Sequence, residues 1–391
     1  MSRISKNKKL QPDAEREMKA YRHWLHRMQT IGPKTVTRLL EIADAKDLYT
    51  IPRTEVEGIL NAKQLDEFLT SRTRTDVHAA YAKVEEAGMR FVTREDEEYP
   101  ARLRQLQDAP YGLYYYGRLP DDATPTVAII GARICSEYGR YMARQFGTEL
   151  GAAGVQVVSG MALGVDGIAQ KGALSAGGAS YGVLGSSVDV CYPEENRALY
   201  DDLIASGGVI SEYAPTTAPE AKFFPQRNRI IAGLADIVLV IEARKKSGTL
   251  ITVDLALEYG RDVFAVPGRV TDRLSDGCNF LIRQGAGIAF SPGDVLEALY
   301  GAGRIHGDPK RGEPAAAWEE AEAERRLMLT PVEEALIRIV DIEPLSVNAL
   351  HERVSDQGLS VTVPALMNTL VTMCLKGLMQ QEGGYFCKRL G

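Results

Sequence analysis

The sequence predicts an α/β fold built on one mostly parallel sheet, with smaller domains before and after it. Short, nearly continuous apolar runs alternate with amphipathic helical patterns from residue 126 to 300, and glycine or small hydroxyl residues follow most runs. Strands that helices cover on both faces have this pattern, which predicts right-handed crossovers and a Rossmann-like sheet. The predicted strands are Thr126–Ile130, Val155–Ser159, Ser180–Leu184, Gly208–Ser211, Asp236–Ile241 and Asp262–Val266.

The chain before these strands predicts an N-terminal helical domain over residues 12–75, of the SAM or helix-hairpin-helix kind. Ile31-Gly32-Pro33-Lys34-Thr35 resembles a helix-hairpin-helix turn, which can offer backbone N–H groups to a phosphate. We favour the alternative that this domain only packs on its neighbour, because one hairpin is weak evidence. Residues 80–300 are predicted as the Rossmann-like domain with its N-terminal extension, which includes the aromatic, strand-like run Tyr111–Gly117.

The chain after the sheet predicts a linker over residues 301–327, rich in Gly, Pro, Ala and Glu, and a terminal domain over residues 328–391. The order of three helices and a ribbon ending Gly383-Gly384-Tyr385-Phe386 resembles a winged helix. Its third helix, Pro364 to Leu375, has no Lys or Arg, and the domain has more acidic than basic residues. A surface for protein is therefore favoured over one that reads duplex DNA.

Composition excludes several classes of protein. The net charge of −6 argues against a protein that coats nucleic acid over its whole surface, although a local basic groove remains compatible with it. The five cysteines are scattered without a CxxC pair, which indicates reduced thiols and no zinc site. With no signal peptide and no apolar run of roughly 18 residues, we expect a cytoplasmic protein without a membrane span.

Histidine is too rare in the sheet block for a nucleophile–histidine pair. The five histidines all lie outside the predicted strands and their loops. No carboxylate–histidine cluster suggests a metal. We therefore expect no enzymatic activity and no cofactor. The histidines are His23, His26, His78, His306 and His351.

The loops that follow the strands predict a phosphate-binding groove, because ligands of parallel sheets bind outside the carboxyl ends of the strands. Glycines let a phosphate approach the backbone, and guanidinium groups bind it bidentately. Residues 220–250 carry six basic and three acidic side chains, in a chain that is negative overall. The candidates are Gly131, Arg133, Ser136, Ser159, Gly160, Gly164, Gly185, Lys222, Phe224, Arg227, Asn228, Arg229, Lys246, Ser247, Gly248, Thr249 and Gly268. Asp166 and Glu212 are predicted to hold loops through hydrogen bonds or an arginine pair.

An ordered series of motifs resembles the DNA-processing protein A family (DprA, or Smf). The series comprises Ile130-Gly131-Ala132-Arg133, Ser159-Gly160-Met161-Ala162-Leu163-Gly164-Val165-Asp166, Ser211-Glu212-Tyr213, Phe224-Pro225-Gln226-Arg227-Asn228-Arg229, Ser247-Gly248-Thr249-Leu250-Ile251-Thr252 and Gly277-Cys278-Asn279-Phe280-Leu281-Ile282. The resemblance implies a homodimer that binds single-stranded DNA and loads the recombinase RecA in natural transformation. It also allows a single-stranded DNA-binding protein as a partner.

The resemblance also implies roles for individual residues. Arg133 matches the family's pocket arginine, and Phe224 with Arg227-Asn228-Arg229 matches a second wall, where the aromatic ring can stack on any base. The sequence departs from the family pattern at Ala132, where Ser is frequent, and at Gln170, Ser187 and Ala221, where His, Gly and a basic residue are frequent. These departures concern fine contacts rather than the fold.

Two other functions are compatible with the fold. One is a nucleotide-binding or nucleotide-hydrolysing enzyme of the lysine-decarboxylase-like group, which has a Gly-Gly-x-Gly-Thr-x-x-Glu loop. Here Thr252 stands in place of the glutamate, so that carboxylate is missing, although Asp166 or Glu212 could supply one. The other is a nucleotide-sensing protein that does not bind DNA.

Overall fold

The structure, a computed structural model, describes residues 12–301, 330–340, 345–376 and 378–388. These residues fall into two compact units. One contains residues 12–135 and 142–301, and the other contains residues 136–141 and the described residues from 330 onward. The predicted linker lies outside the described residues except for Gly301, and so does His306. Within the described part of the chain, no helix is both long and apolar enough to span a bilayer.

The N-terminal region is helical, as predicted. Asp44, Asn61 and Asp76 cap three of its helices by accepting backbone N–H groups, which helix N-termini otherwise leave unpaired. Trp24 and Phe68 are buried at the centre of its apolar core. The helices are α1 (Pro12–His26), α2 (Pro33–Leu40), α3 (Ala45–Thr50), α4 (Arg53–Val56), α5 (Ala62–Arg74) and α6 (Val77–Glu86).

The sheet contains all six predicted strands, each within one residue of its predicted ends. Its strands are β1 (Arg90–Thr93), β2 (Gly112–Gly117), β3 (Thr126–Ile130), β4 (Gln156–Ser159), β5 (Ser180–Val183), β6 (Gly208–Ser211), β7 (Ile237–Val240), β8 (Asp262–Ala265) and β9 (Gly287–Ile288). Their order is β1-β2-β6-β5-β4-β3-β7-β8-β9. The strands from β6 to β9 in this order are parallel, and β1 and β2 add an antiparallel edge. The Rossmann-like prediction is confirmed.

Helices cover both faces of the sheet. Ile210 points into a core shared with Ile230 and Val253, whereas its neighbour Val209 points to the opposite face, against Leu203. The helices are α7 (Ala101–Arg104), α8 (Glu137–Ala152), α9 (Val165–Ser175), α10 (Arg197–Ser206), α11 (Phe223–Leu234), α12 (Gly248–Glu258), α13 (Asp276–Arg283) and α14 (Pro292–Gly301). Along the sequence, β4, β5 and β6 are added to the sheet on one side of β3. The next strand, β7, pairs with β3 on its other side. The sheet therefore has its topological switch point between β3 and β7.

In the C-terminal unit, the described residues from 330 onward form three helices and a small three-stranded sheet of order β10-β12-β11. Thr330 and Glu333 form a capping box at its first helix, and Gly383 and Gly384 have the positive φ angles of a tight hairpin turn. Phe386 lies in its core. Its elements are α15 (Pro331–Ile339), β10 (Leu345–Ser346), α16 (Val347–Asp356), α17 (Val363–Leu375), β11 (Met379–Glu382) and β12 (Tyr385–Lys388). The winged-helix assignment stays a prediction.

Candidate functional site

An open cavity of about 820 Å³ lies at the carboxyl ends of β3 and β7, at the switch point of the sheet. We call it the groove. Four parts of the chain contribute most of its walls: the loop after β3, the first turns of α11, the loop after β7, and the start of α12. The candidates that line it are Gly131, Arg133, Asp166, Phe224, Arg227, Asn228, Ser247, Gly248 and Thr249.

One wall of the groove is aromatic and carries an exposed cation. The guanidinium of Arg133 lies 5.3 Å from the ring centroid of Phe224. The ring centroid of Tyr192 lies 5.6 Å from that of Phe224, with an interplanar angle of 40°. Gly185 permits this position of the ring, because a Cβ there would lie 2.9 Å from Phe224 Cδ1. Arg133 is exposed. An exposed cation over an aromatic ring can meet a phosphate while the ring meets a base.

Arg227 has a different environment from Arg133, because its side chain is buried and its hydrogen bonds are fixed. Nη1 donates to the carbonyl oxygen of Gly160 at 2.8 Å and to that of Val183, and Nε donates to Asn228 Oδ1 at 3.2 Å. Burial lowers the pKa of Arg227 to about 10. Gly160 permits the close approach, since a Cβ there would lie 2.6 Å from the guanidinium. Arg227 therefore holds the loop after β4 and presents a fixed charge to the groove.

Asp166 holds the same loop from the other side. Its Oδ2 accepts the backbone N–H of Gly160 at 3.1 Å. Burial raises the pKa of Asp166, and the nearby charge of Arg227 opposes that shift. The left-handed φ of +78° at Gly164 lets this loop approach the loop after β3, where a Cβ would lie 2.3 Å from the carbonyl oxygen of Ala132. Both loops are thus fixed in place before any ligand arrives.

The N-terminus of α12 opens into the groove. Ser247, Gly248 and Thr249 line the groove, and the hydroxyl of Ser247 is buried without a hydrogen-bond partner among the described residues. A Cβ added at Gly248 would meet only open space, so a ligand can approach the backbone there. The free N–H groups and the dipole of a helix N-terminus attract anions. This turn of α12 therefore has the features of a second anion site in the groove.

Arg229 does not line the groove, although the sequence places it beside Arg227. It forms an ion pair with Glu212, in which both side chains are largely buried. The backbone carbonyl of Glu212 also lies 2.8 Å from Nε2 of His26 in α1. Burial raises the pKa of Glu212, and Arg229 opposes the shift. The pair ties α11 to the end of β6 and to the N-terminal helices.

Other candidates also lie outside the groove lining. Lys222 pairs with Glu220 at 2.7 Å, and Lys246 is exposed. Ser136 accepts the N–H of Gly139 at the start of α8. The remaining candidates outside the lining are Ser159, whose hydroxyl donates to the Ile129 carbonyl oxygen at 2.6 Å, and Gly160, Gly164, Gly185 and Gly268, which shape or hold the loops.

Fourteen lining residues were absent from the sequence candidates. Three of them are Ile134, which is 86% exposed, Tyr192 and Arg244. Each lies in a loop after a strand, so position alone could have included them. The side chains of Ile134 and Tyr192 differ from the glycine and phosphate-binding types on which the candidates were chosen, whereas Arg244 carries a guanidinium of the chosen type. Among the described residues, no group of three His, Cys, Asp or Glu side chains could hold a metal.

Known proteins share the fold and part of the sequence of this chain. The model of the family "DNA recombination-mediator protein A" matches residues 90–300. Protein Smf of Synechocystis is 34% identical over 287 residues, which are 71% of this chain and 72% of that protein. DNA processing protein DprA of Streptococcus pneumoniae is 45% identical over 201 residues, which are 51% of this chain and 71% of that protein. Its X-ray structure matches with a TM-score of 0.62 and 34% identity, over 71% of this chain and 96% of that one. The chain therefore belongs to the DNA recombination-mediator protein A family.

Proposed function

We propose that the groove binds single-stranded DNA and that the protein does no bond chemistry. The observation that carries this proposal is the exposed guanidinium of Arg133 over the ring of Phe224, in a groove that the open N-terminus of α12 also lines. A guanidinium, an aromatic ring and a helix N-terminus in one groove match the chemistry of a nucleotide strand, in which phosphates flank each base. Stacking on a ring requires an unpaired base, so the groove favours a single strand over a duplex.

The size of the groove limits how much DNA it holds. Its volume of about 820 Å³ is in the range of small-ligand pockets, roughly 300–1,000 Å³. A strand must therefore continue over the neighbouring surface. The exposed Arg244 on the rim adds positive charge along that path.

Family membership supports the wider role that we propose. In this role the protein acts in the cytoplasm as a homodimer, protects incoming single strands, and loads RecA onto them during natural transformation. A single-stranded DNA-binding protein is a further partner in this proposal. These partners rest on the family alone, whereas DNA binding also rests on the groove.

Salt-titrated binding of single- and double-stranded oligonucleotides tests the proposal. We expect tighter binding of the single strand, and we expect Arg133→Ala to weaken it and to reduce the slope of log K against log salt by about 0.7, the value for one lost phosphate contact. Arg53→Ala is the matched control, since it removes an exposed arginine from α4, away from the groove. Equal affinity and slope in the wild type and Arg133→Ala would contradict the proposal.

The alternative enzyme of the lysine-decarboxylase-like group needs a free carboxylate in the groove. Asp166 is the carboxylate among the lining residues, and its Oδ2 already accepts the Gly160 N–H. Thr252 also lines the groove, in place of the glutamate of that group. Incubation with nucleoside monophosphates decides the matter, because released base would overturn the proposal that the protein is not an enzyme.

A further inference from the structure

Two cations lie near the ring of Phe280 in α13. Lys245 Nζ is 5.5 Å from its ring centroid, and the guanidinium carbon of Arg283 is 5.7 Å from it. The ring is half-buried, whereas both cations are exposed. Among the aromatic rings that the structure describes, only Phe224 also has two cations within about 6 Å of its centroid, the exposed Arg133 at 5.3 Å and the buried Arg227 at 5.9 Å. A ring with two cations near it thus occurs a second time.

The second ring is held next to the groove by backbone hydrogen bonds. Ala243 and Leu274 both line the groove, and the Ala243 N–H donates to the Leu274 carbonyl oxygen at 2.8 Å. The Gly277 N–H in α13 donates to the Ala243 carbonyl oxygen at 2.8 Å, and the Lys245 N–H donates to Asp276 Oδ1 at 2.8 Å. The start of α13 is therefore fixed to the wall of the groove.

The surface that joins the groove to Phe280 is basic. Residues 244–246 and 267–284 carry six basic and two acidic side chains, in a chain of net charge −6. Both acidic side chains accept backbone N–H groups: Asp276 from Lys245 and Asp272 from Leu274. The basic residues are Arg244, Lys245, Lys246, Arg269, Arg273 and Arg283.

We propose that Phe280, with Lys245 and Arg283, is a second stacking site that takes a base of the same DNA strand where it leaves the groove. The inference rests on the proposed function, since it extends the path of the same ligand. A base that stacks on the ring displaces one of the two exposed cations from the ring face. The displaced side chain is long and flexible, and it then meets the adjacent phosphate.

The length of the DNA separates the two sites. We would measure fluorescence anisotropy of the full chain with oligothymidylates of about six and about twenty nucleotides. These lengths are chosen because a single binding module covers about 4–16 nucleotides. The short strand fills the groove, and the long strand also reaches Phe280. Phe280→Ala should weaken binding of the long strand about 5- to 100-fold and leave the short strand within about twofold, because one stacked base is lost.

Further variants separate stacking from folding. Phe280→Trp keeps an aromatic face and should bind the long strand like the wild type. Lys245→Ala and Arg283→Ala leave the ring in place. The variant that removes the displaced cation should lower the salt slope for the long strand by about 0.7, whereas the control Arg53→Ala should not.

Three results would overturn the inference. In the first, Phe280→Ala binds the long strand as tightly as the wild type. In the second, it weakens both strands equally, which would mean that Phe280 acts through the groove. In the third, the wild type binds neither strand. Of the three results, only this one also refutes the proposed function.

Discussion

Replacing Arg227 by alanine should lower the free energy of unfolding. It should reduce the salt slope of DNA binding less than Arg133→Ala does. The substitution leaves the carbonyl oxygens of Gly160 and Val183 without their donor. It also removes the cation that favours the charged form of the buried Asp166. A charge-assisted hydrogen bond contributes about 1.5–3 kcal/mol, so the free energy of unfolding should fall by about 3–5 kcal/mol. Domains are stable by about 5–15 kcal/mol, which makes this a large fraction.

The loss of unfolding free energy in Arg227→Ala should depend on pH because of Asp166. Burial already raises the pKa of Asp166, and loss of Arg227 raises that pKa further. A carboxyl whose pKa is higher in the folded than in the unfolded state stabilises the fold at low pH, and loses that contribution as the pH rises through the folded value. The difference between Arg227→Ala and the wild type should therefore shrink as the pH falls from about 7 to about 5. The double variant Arg227→Ala/Asp166→Asn should recover about 1–3 kcal/mol at pH 7.

Urea titrations followed by circular dichroism give these free energies from the midpoint and slope. Arg133→Ala is the matched control, because it removes the same charge from an exposed position and should stay within about 0.5 kcal/mol of the wild type. An Arg227→Ala variant within about 1 kcal/mol of the wild type would refute the role that we derive from burial. So would a reduction of the salt slope as large as that in Arg133→Ala, since it would show that Arg227 binds a phosphate directly.

Two more predictions follow from the same contacts. Phe224→Ala should weaken single-stranded DNA binding about 5- to 100-fold in fluorescence anisotropy, whereas Phe224→Trp should keep most of the affinity. Equal affinity of the wild type and both variants would contradict base stacking. Acidification from pH 7 to pH 5 should destabilise the fold by about 2 kcal/mol for each of two histidines. Burial lowers the pKa of His23 to about 3 and of His26 to about 4, so only the unfolded chain takes up protons near the ordinary value of 6.5. Urea midpoints should show a smaller pH dependence in His23→Phe, and an equal dependence would count against this origin.

The fold was predictable because each central strand is a buried apolar run. Those strands end within one residue of their predicted limits, since the residues that pack between two helical layers must be apolar along the whole strand. The edge strands β1 and β9 were not predicted. Arg90–Thr93 has one exposed residue and Gly287–Ile288 has only two residues, so neither carries a pattern that differs from a loop.

The position of the groove was predictable from topology, whereas the direction of each side chain was not. Loops at the carboxyl ends of parallel strands meet at one edge, so counting strands placed Arg133 and Ser247 together. Whether an arginine is exposed depends on packing between segments distant in sequence. Arg227 bonds to residues 67 and 44 positions away, and no local pattern records those contacts.

The geometry of α11 explains why two arginines of one motif have different roles. Phe224, Arg227, Asn228 and Ile231 follow the i, i+3, i+4, i+7 spacing of one helix face, and all four line the groove. Arg229 is two residues from Arg227, about 200° around the helix, so it must face the other way, toward Glu212. The helix thus uses one face to shape the groove and the other to anchor itself to the sheet. In the proposed function, the exposed Arg133 on the loop after β3 supplies the charge that responds to salt. The buried Arg227 keeps the groove formed in the absence of DNA, which reduces the entropy lost on binding.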